Sequence, residues 1–311
     1  MRIVFMGTPE FAVPSLEGII SNGYEVVGVY TQPDKAAGRG RVVEESPVKK
    51  TAQRHNLNIL QPVNMKSAET RAQLADLRPD AIIVAAFGQI LPQPVLDIPS
   101  FGCINIHPSL LPKYRGVAPV PAAILNGDEF TGVSIMLLDK GVDTGPVLTN
   151  VHVPVLPQDT AGSLLEKLSH TGAQLLLDTL PGWFRKEITA QPQNNAEASY
   201  TKMLTKEAGE IDWKLTAMQI SRRVRAYQPW PGCYTRWQGK QLKILEAVPL
   251  SGEGEKEPGR VVPVRDSAAA FGVTTEDGIL GVVKVQLEAK KVVTAKEFLN
   301  GQRQLMGSML G

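Results

Sequence analysis

Along the chain, apolar positions gather into short unbroken runs separated by longer stretches with helical spacing. RIVFM (2–6), YEVVGVY (24–30), DAIIVAA (80–86), GCINIH (102–107) and VSIMLLD (133–139) are apolar on both faces. Strands covered by helices on both sides read that way, so these five predict a central, mainly parallel sheet. Residues 10–22, 47–55, 67–77, 117–126 and 160–186 carry the helical period between and after them. The alternation predicts an α/β domain with a doubly wound, Rossmann-like sheet.

The pattern breaks at TAQPQNNAE (189–197), a polar run with no apolar period, which predicts a surface linker. Residues 211–225 then predict one helix. After Pro231, the pieces CYTRW, LKILEA, GRVVPV, AFGVTT and ILGVVKVQLE are divided by Gly, Pro and Glu turns. They predict a small antiparallel barrel, with an OB-like fold as one candidate. The expected division is a catalytic domain at 1–188, a linker at 189–208 and a C-terminal β-barrel domain at 209–311. A length of 311 residues agrees with two domains.

Composition adds little at first. The chain is 43% apolar and 21% charged, as expected for a globular protein with a core. No apolar run reaches the roughly 18 residues of a membrane helix. MRIVFMGTPEF enters a strand at once and leaves no room for a signal or transit peptide. Two distant cysteines, Cys103 and Cys233, argue against a disulfide framework or a Cys-based zinc site. A cytosolic, monomeric protein without a membrane partner is expected. The net charge of +2 hides a local excess, since residues 201–247 hold nine Lys/Arg against four acids. That stretch suits a polyanion, although a solvated surface is the commoner fate of such clusters.

The common motifs of α/β proteins are missing. MGTPEF follows the first strand where a dinucleotide site would place G-x-G-x-x-G, but only Gly7 is present. The chain has no Walker-type loop, no G-x-S-x-G and no H-E-x-x-H. What stands out instead is GCINIHPSLLPKYRG (102–116). In a strand, Asn105 and His107 share a face, with Ile104 and Ile106 turned the other way. Pro108 ends the strand, which places His107 at its carboxyl end, where open α/β sheets bind ligands. A buried, satisfied histidine beside a turn-capping asparagine is the alternative. Asp143, in the Gly-bounded loop KGVDTGPVL after the next strand, has access to the same crevice; it also suits a plain Asx turn. Together the three suit acyl transfer to an amine. Asn105 and a charged His107 would donate to an oxyanion, while Asp143 would orient His107 and help move the amine's proton. No metal is expected.

Asn-x-His-x-Ser-Leu-Leu-Pro followed by a D-T-G loop resembles the folate-dependent formyltransferases, which use 10-formyltetrahydrofolate as donor. The resemblance implies that Asn105, His107 and Asp143 form the catalytic set. It further implies a folate pocket lined by Phe87, Gly88, Ile90, Leu91, Ser109, Leu110, Leu111, Pro112, Leu138 and Asp139. The apolar FGQILP (87–92) fits a flat pterin, and is also a common form of core loop.

Three features resemble the branch that formylates initiator methionyl-tRNA. TQPDKAAGRGRVVEESPVKK (31–50) is similar to a long loop turned toward the tRNA acceptor end, in which Lys35, Arg39 and Arg41 would make contact. A basic second domain follows, where Arg222 and Arg223 are further candidates. IDW (211–213) and QPWPG (228–232) resemble the start of that domain. Gln228 and YTKML (200–204) depart from the usual pattern, away from the catalytic set. Trp213, Trp230 and Trp237 read as core and seam residues, and Cys103 as a small core hydrophobe. Two alternatives stay open: a sugar-nucleotide N-formyltransferase with the same donor, and a non-catalytic RNA-binding module on a formyltransferase shell.

Overall fold

The computed structural model describes residues 1–37, 42–252, 257–265 and 269–311. The chain divides into two compact units. The first comprises 1–119, 130–154 and 165–201; the second comprises 120–129, 155–164 and 202–311.

The first unit is built on a seven-stranded sheet. Its strands are β1 (Arg2–Gly7), β2 (Glu25–Tyr30), β5 (Ile59–Leu60), β6 (Ala81–Ala85), β7 (Cys103–His107), β9 (Phe130–Leu137) and β10 (Val147–Pro154). A hairpin of β3 (Lys35–Ala37) and β4 (Val42–Glu44) follows β2, and β8 (Arg115–Gly116) follows β7. The sheet order is β10-β9-β7-β6-β1-β2-β5. Neighbours from β5 to β7 are parallel, whereas β9 and β10 are antiparallel. Every one of the five predicted apolar runs is a strand. The short hairpin and β10 were not expected. In β10 only Leu148 and Val153 are buried while Asn150, His152 and Pro154 are exposed, so VLTNVHVP shows no solid apolar run.

Around the sheet lie α1 (Val13–Ser21), α2 (Pro47–Arg54), α3 (Ala68–Asp76), α4 (Gln93–Leu96) and α6 (Ala161–Phe184), whereas α5 (Pro119–Asn126) falls almost wholly in the second unit. β1, β6 and β7 are buried almost throughout because helices cover both faces. Ser46 and Ser67 cap α2 and α3 by accepting from Lys49 N and Thr70 N. Gly172 of α6 lies against β7 and β9. A Cβ there would stand 2.9 Å from Ile106 Cγ2 and 3.2 Å from Val133 Cγ1. Ile106 thus packs under α6, which leaves Asn105 and His107 on the opposite face.

The polar run expected as a linker is bound to the first unit as far as Thr201. Gln191 exchanges backbone hydrogen bonds with Val147 at 2.8 and 2.9 Å, and β11 (Tyr200–Thr201) pairs with β8.

The second unit holds a six-stranded antiparallel sheet. Its path is β12 (Cys233–Trp237), β13 (Lys240–Leu250), β16 (Ile279–Leu287), β15 (Phe271–Thr274) and β14 (Val261–Val262), with β17 (Val293–Thr294) on β16. The register of β13 on β16 shifts twice between Ile244 and Ala247, which bends the sheet. The expected barrel is thus a curled sheet. Capping boxes start α7 (Ala217–Ala226) at Thr216 and Gln219, and α8 (Ala295–Gly301) at Thr294 and Glu297. The helix expected over 211–225 begins only at Ala217, because Ile211 bonds the Tyr234 carbonyl instead. Trp213 and Trp237 are buried as expected, but Trp230 is 55% exposed and is no core residue.

Candidate active site

The carboxyl ends of the parallel strands gather Thr8, Gln32, Phe87 and His107 on one edge of the sheet. Thr8 Oγ1 and Gln32 Nε2 both donate to the Phe87 carbonyl, at 3.1 and 3.2 Å. The chain order reverses between β1 and β6, where doubly wound sheets open a crevice.

His107 is the last residue of β7 and is 4% exposed. Its Nδ1 lies 2.9 Å from Ser109 Oγ, and that hydroxyl donates to the Lys113 carbonyl at 2.7 Å. With its proton already given, Ser109 Oγ accepts from His107, which puts a proton on Nδ1. Nε2 therefore faces the reaction side. It stands 3.2 Å from Asp143 Oδ2, within ion-pair range, and this buried atom has no other partner among the described residues. Asn105, 8% exposed, shares that face, and its amide makes no hydrogen bond among the described residues. Buried polar groups are nearly always satisfied, and the group that Nε2 faces here is the Asp143 carboxylate.

Asp143 sits in the tight D-T-G loop at φ +52°, in the left-handed region. Gly145 closes that loop, where a Cβ would meet the Leu137 carbonyl at 2.0 Å. Gly116 N donates to Asp143 Oδ2 at 2.7 Å. Burial pushes the carboxyl up. The hydrogen bond and charge of His107, the Gly116 N–H and the Arg115 charge outweigh it and hold Asp143 below the usual carboxylate range. The structure thus places an ionised Asp143 against His107, with Asn105 on the same face of β7.

The residues expected around a folate fall into two groups. Phe87, Leu91 and Leu111 are buried, and Phe87 and Leu91 belong to the core beside β6. Gly88, at φ +84°, turns over Gln32, while Ile90 is 78% exposed at the loop tip. Leu110, Pro112 and Leu138 are half-buried. Ser109 is 0% exposed, so it cannot line a pocket and instead serves His107. Asp139 accepts from Gly141 N at 2.9 Å and Thr144 Oγ1 at 2.7 Å, so it braces the Asp143 loop.

Of the residues expected to meet tRNA, Arg39 and Arg41 lie outside the described residues, and Lys35 is placed in β3. Arg222 packs on Gly127 of its own unit, where a Cβ would fall 2.1 Å from its guanidinium carbon. Arg225 donates to the Asp159 carbonyl at 3.0 Å, and Arg223 is half-buried on α7. Among the described residues no cluster of three His, Cys, Asp or Glu is placed to hold a metal. Burial raises Cys103 to about 12, as suits an inert core thiol. A depression of about 540 Å³ beyond β5, lined by Gln61, Asn64 and Thr70 among others, includes none of the expected site residues.

Three residues escaped the sequence. Ser134, opposite His107 in register, donates to the Ser109 carbonyl at 2.8 Å and accepts from Leu111 N at 3.1 Å, so it shapes the turn after β7. Arg115, 1% exposed, and Gln193 back the Asp143 loop.

Comparison with known proteins fits this geometry. Residues 1–180 match the Formyl transferase family, and 203–303 match the Formyl transferase, C-terminal domain. A methionyl-tRNA formyltransferase of Dehalococcoides mccartyi is 47% identical over 313 residues, covering 100% of this chain and 99% of that one. The chain belongs to the methionyl-tRNA formyltransferase family. Its relative in Alkaliphilus oremlandii is 40% identical over 311 residues, with both chains fully covered. Among solved structures, the N-formyltransferase from Helicobacter canadensis shares the fold at a TM-score of 0.67 and 20% identity, covering 94% of this chain and 100% of that one. HypX from Aquifex aeolicus shares it at 0.66 and 19%, over 98% of this chain and 50% of that longer one. As a member of this family the chain is a formyl-transferring enzyme, and the alternative of a non-catalytic RNA-binding module falls away.

Proposed function

We propose that this enzyme transfers the formyl group of 10-formyltetrahydrofolate to the α-amine of methionyl-initiator tRNA, acting as a cytosolic monomer. The observation that carries the reading is the buried Nε2 of His107 set against the Asp143 carboxylate, at the end of a strand whose same face carries Asn105. The relatives' name supplies the acceptor, and the family supplies the donor class. The solved Helicobacter canadensis enzyme is described in complex with folinic acid, a reduced folate, which supports the same donor here.

In the reaction the amine nitrogen attacks the formyl carbon. The carbonyl π electrons move onto oxygen, where the Asn105 amide and an Nε2–H of His107 donate to the developing charge. The amine's extra proton passes to the Asp143–His107 pair and then to N10 of the folate as the C–N10 bond breaks. The products are formylmethionyl-tRNA and tetrahydrofolate. Ser109 keeps the other ring nitrogen protonated, so that Nε2 is the one presented. No covalent enzyme intermediate is required, because an amine is nucleophile enough once positioned. The folate lies against the 87–92 turn and residues 110–112. Lys35, Arg39, Arg41 and Arg223 meet the tRNA.

The test gives purified enzyme the formyl donor with charged initiator tRNA or with an amino-sugar nucleotide. Formylated methionine released from tRNA is expected. Labelling of the nucleotide sugar alone would replace this reading with the sugar N-formyltransferase.

A further inference from the structure

The segment 191–201 looks in sequence like a free connection, yet it grips both loops that shape the site. Ser199 accepts from Arg115 N at 2.8 Å and, through Oγ, from Tyr114 N at 2.9 Å. Gln193 is the centre of this grip. Its Nε2 donates to the carbonyls of Asp143, at 2.9 Å, and Gly145, at 2.7 Å. Its Oε1 accepts from Arg115 Nε at 3.0 Å and Nη2 at 2.8 Å. All four hydrogen-bonding positions of the amide are thereby used, which fixes the way it faces.

Arg115 is a buried cation whose bonded partners are neutral. Besides Gln193 they are Asn195 Oδ1 and the Tyr200 hydroxyl, each at 2.9 Å. A charge taken out of water needs an opposite charge in range. Asp143 supplies it: its carboxyl feels the Arg115 charge, and Gly116, next to Arg115, donates to it directly. Asp143 is thus held at both ends, by Gly116 at the carboxylate and by Gln193 at the main chain.

We propose that Gln193 is a positioning residue for formyl transfer: anchored on the Arg115 guanidinium, it holds the Asp143 main chain so that the carboxylate stays against His107 Nε2. The inference rests on the proposed role of Asp143. The charged groups facing that carboxylate are His107 of β7 and Arg115 of β8. Asp139 and Lys140 share its loop, and Asp139 is turned onto Gly141 and Thr144. Gln193, Asn195 and Tyr200 contribute no charge near neutrality.

Gln193→Glu separates positioning from mere structure. The glutamate still accepts from Arg115, loses both donations to the Asp143 loop and offsets the Arg115 charge. The expected result is kcat lower by about 10- to 100-fold, with KM for the formyl donor within about threefold. The acid limb of kcat/KM moves to higher pH, because Asp143 loses part of the positive field that favours its ionised form. Arg115→Lys, which keeps the charge and loses the planar fork, lowers kcat while the acid limb stays near the wild-type position. A Gln193→Glu enzyme with kcat within about twofold and an unmoved acid limb overturns the proposal. So does one whose only change is a lower melting temperature. If Gln193→Glu does not fold, Arg115→Lys decides, and wild-type kcat in that variant is the overturning result. Asp143→Asn is measured alongside. Wild-type rate in that variant removes the reading of Asp143 and this inference with it, whereas a dead Asp143→Asn beside a normal Gln193→Glu removes the inference alone.

Discussion

At the scale of single residues, the site depends on which nitrogen of His107 carries a proton, and Ser109 decides that. Ser109→Ala removes the acceptor of Nδ1–H and leaves a buried N–H unpaired, at a cost of about 1–3 kcal/mol. The expected outcome is a kcat lower by about tenfold or more with binding of the formyl donor nearly unchanged, read by steady-state kinetics and ligand titration. Asp143 makes a second prediction. Its carboxyl is held below the unfolded value near ~3.9, so ionisation stabilises the fold. That contribution is complete above the unfolded value and is lost as pH falls through the lower folded one. Melting curves taken into the acid range will therefore show wild type losing more stability than Asp143→Asn. Asn105 and His107 were legible because i and i+2 of a strand share a face, and Asp143 because glycines frame it. Arg115 and Gln193 were not, since a cation in a turn and a glutamine in a polar run both read as solvated. Their contact spans 78 residues and no local pattern records it.

At the scale of elements, the strand that carries the site is pressed against α6 from the far side. Gly172→Ala adds a methyl 2.9 Å from Ile106 Cγ2, in a packed layer with a β-branched neighbour that has little freedom to move. Alanine gains about 1 kcal/mol of helix propensity over glycine, but overpacking costs about 1–3 kcal/mol. We expect a lower melting temperature by calorimetry, accompanied by a loss of rate, because Ile106 moves between Asn105 and His107. A raised melting temperature would mean that the contact relaxes freely. The covered strands were readable as solid apolar runs. β10 was not, because one of its faces is polar with Asn150 and His152, and the Ala217 start of α7 was obscured by the apolar Ile211 and Trp213 before it.

At the scale of the whole molecule, two folding units are combined in a chain whose acceptor is a polyanion. The basic excess of residues 201–247 predicts that binding of charged tRNA weakens steeply with salt. Arg39→Ala and Arg223→Ala should each reduce the slope of log K against log salt by about 1 while donor affinity holds. An unchanged slope would remove that arginine from the tRNA contact. Two domain types were evident from the change of period near residue 189. The finer division was not, since residues 120–129 and 155–164 group with the second unit through contacts distant in sequence.

Formyl transfer to methionyl-tRNA is proposed to rest on Asn105, His107 and Asp143. Its most direct test is the single-turnover rate of formylmethionyl-tRNA formation by wild type, Asn105→Ala, His107→Ala and Asp143→Asn, each with a melting curve to confirm folding. A rate lower by about 10²-fold or more is expected in every folded variant. A folded Asp143→Asn or His107→Ala enzyme that keeps the wild-type rate would contradict it.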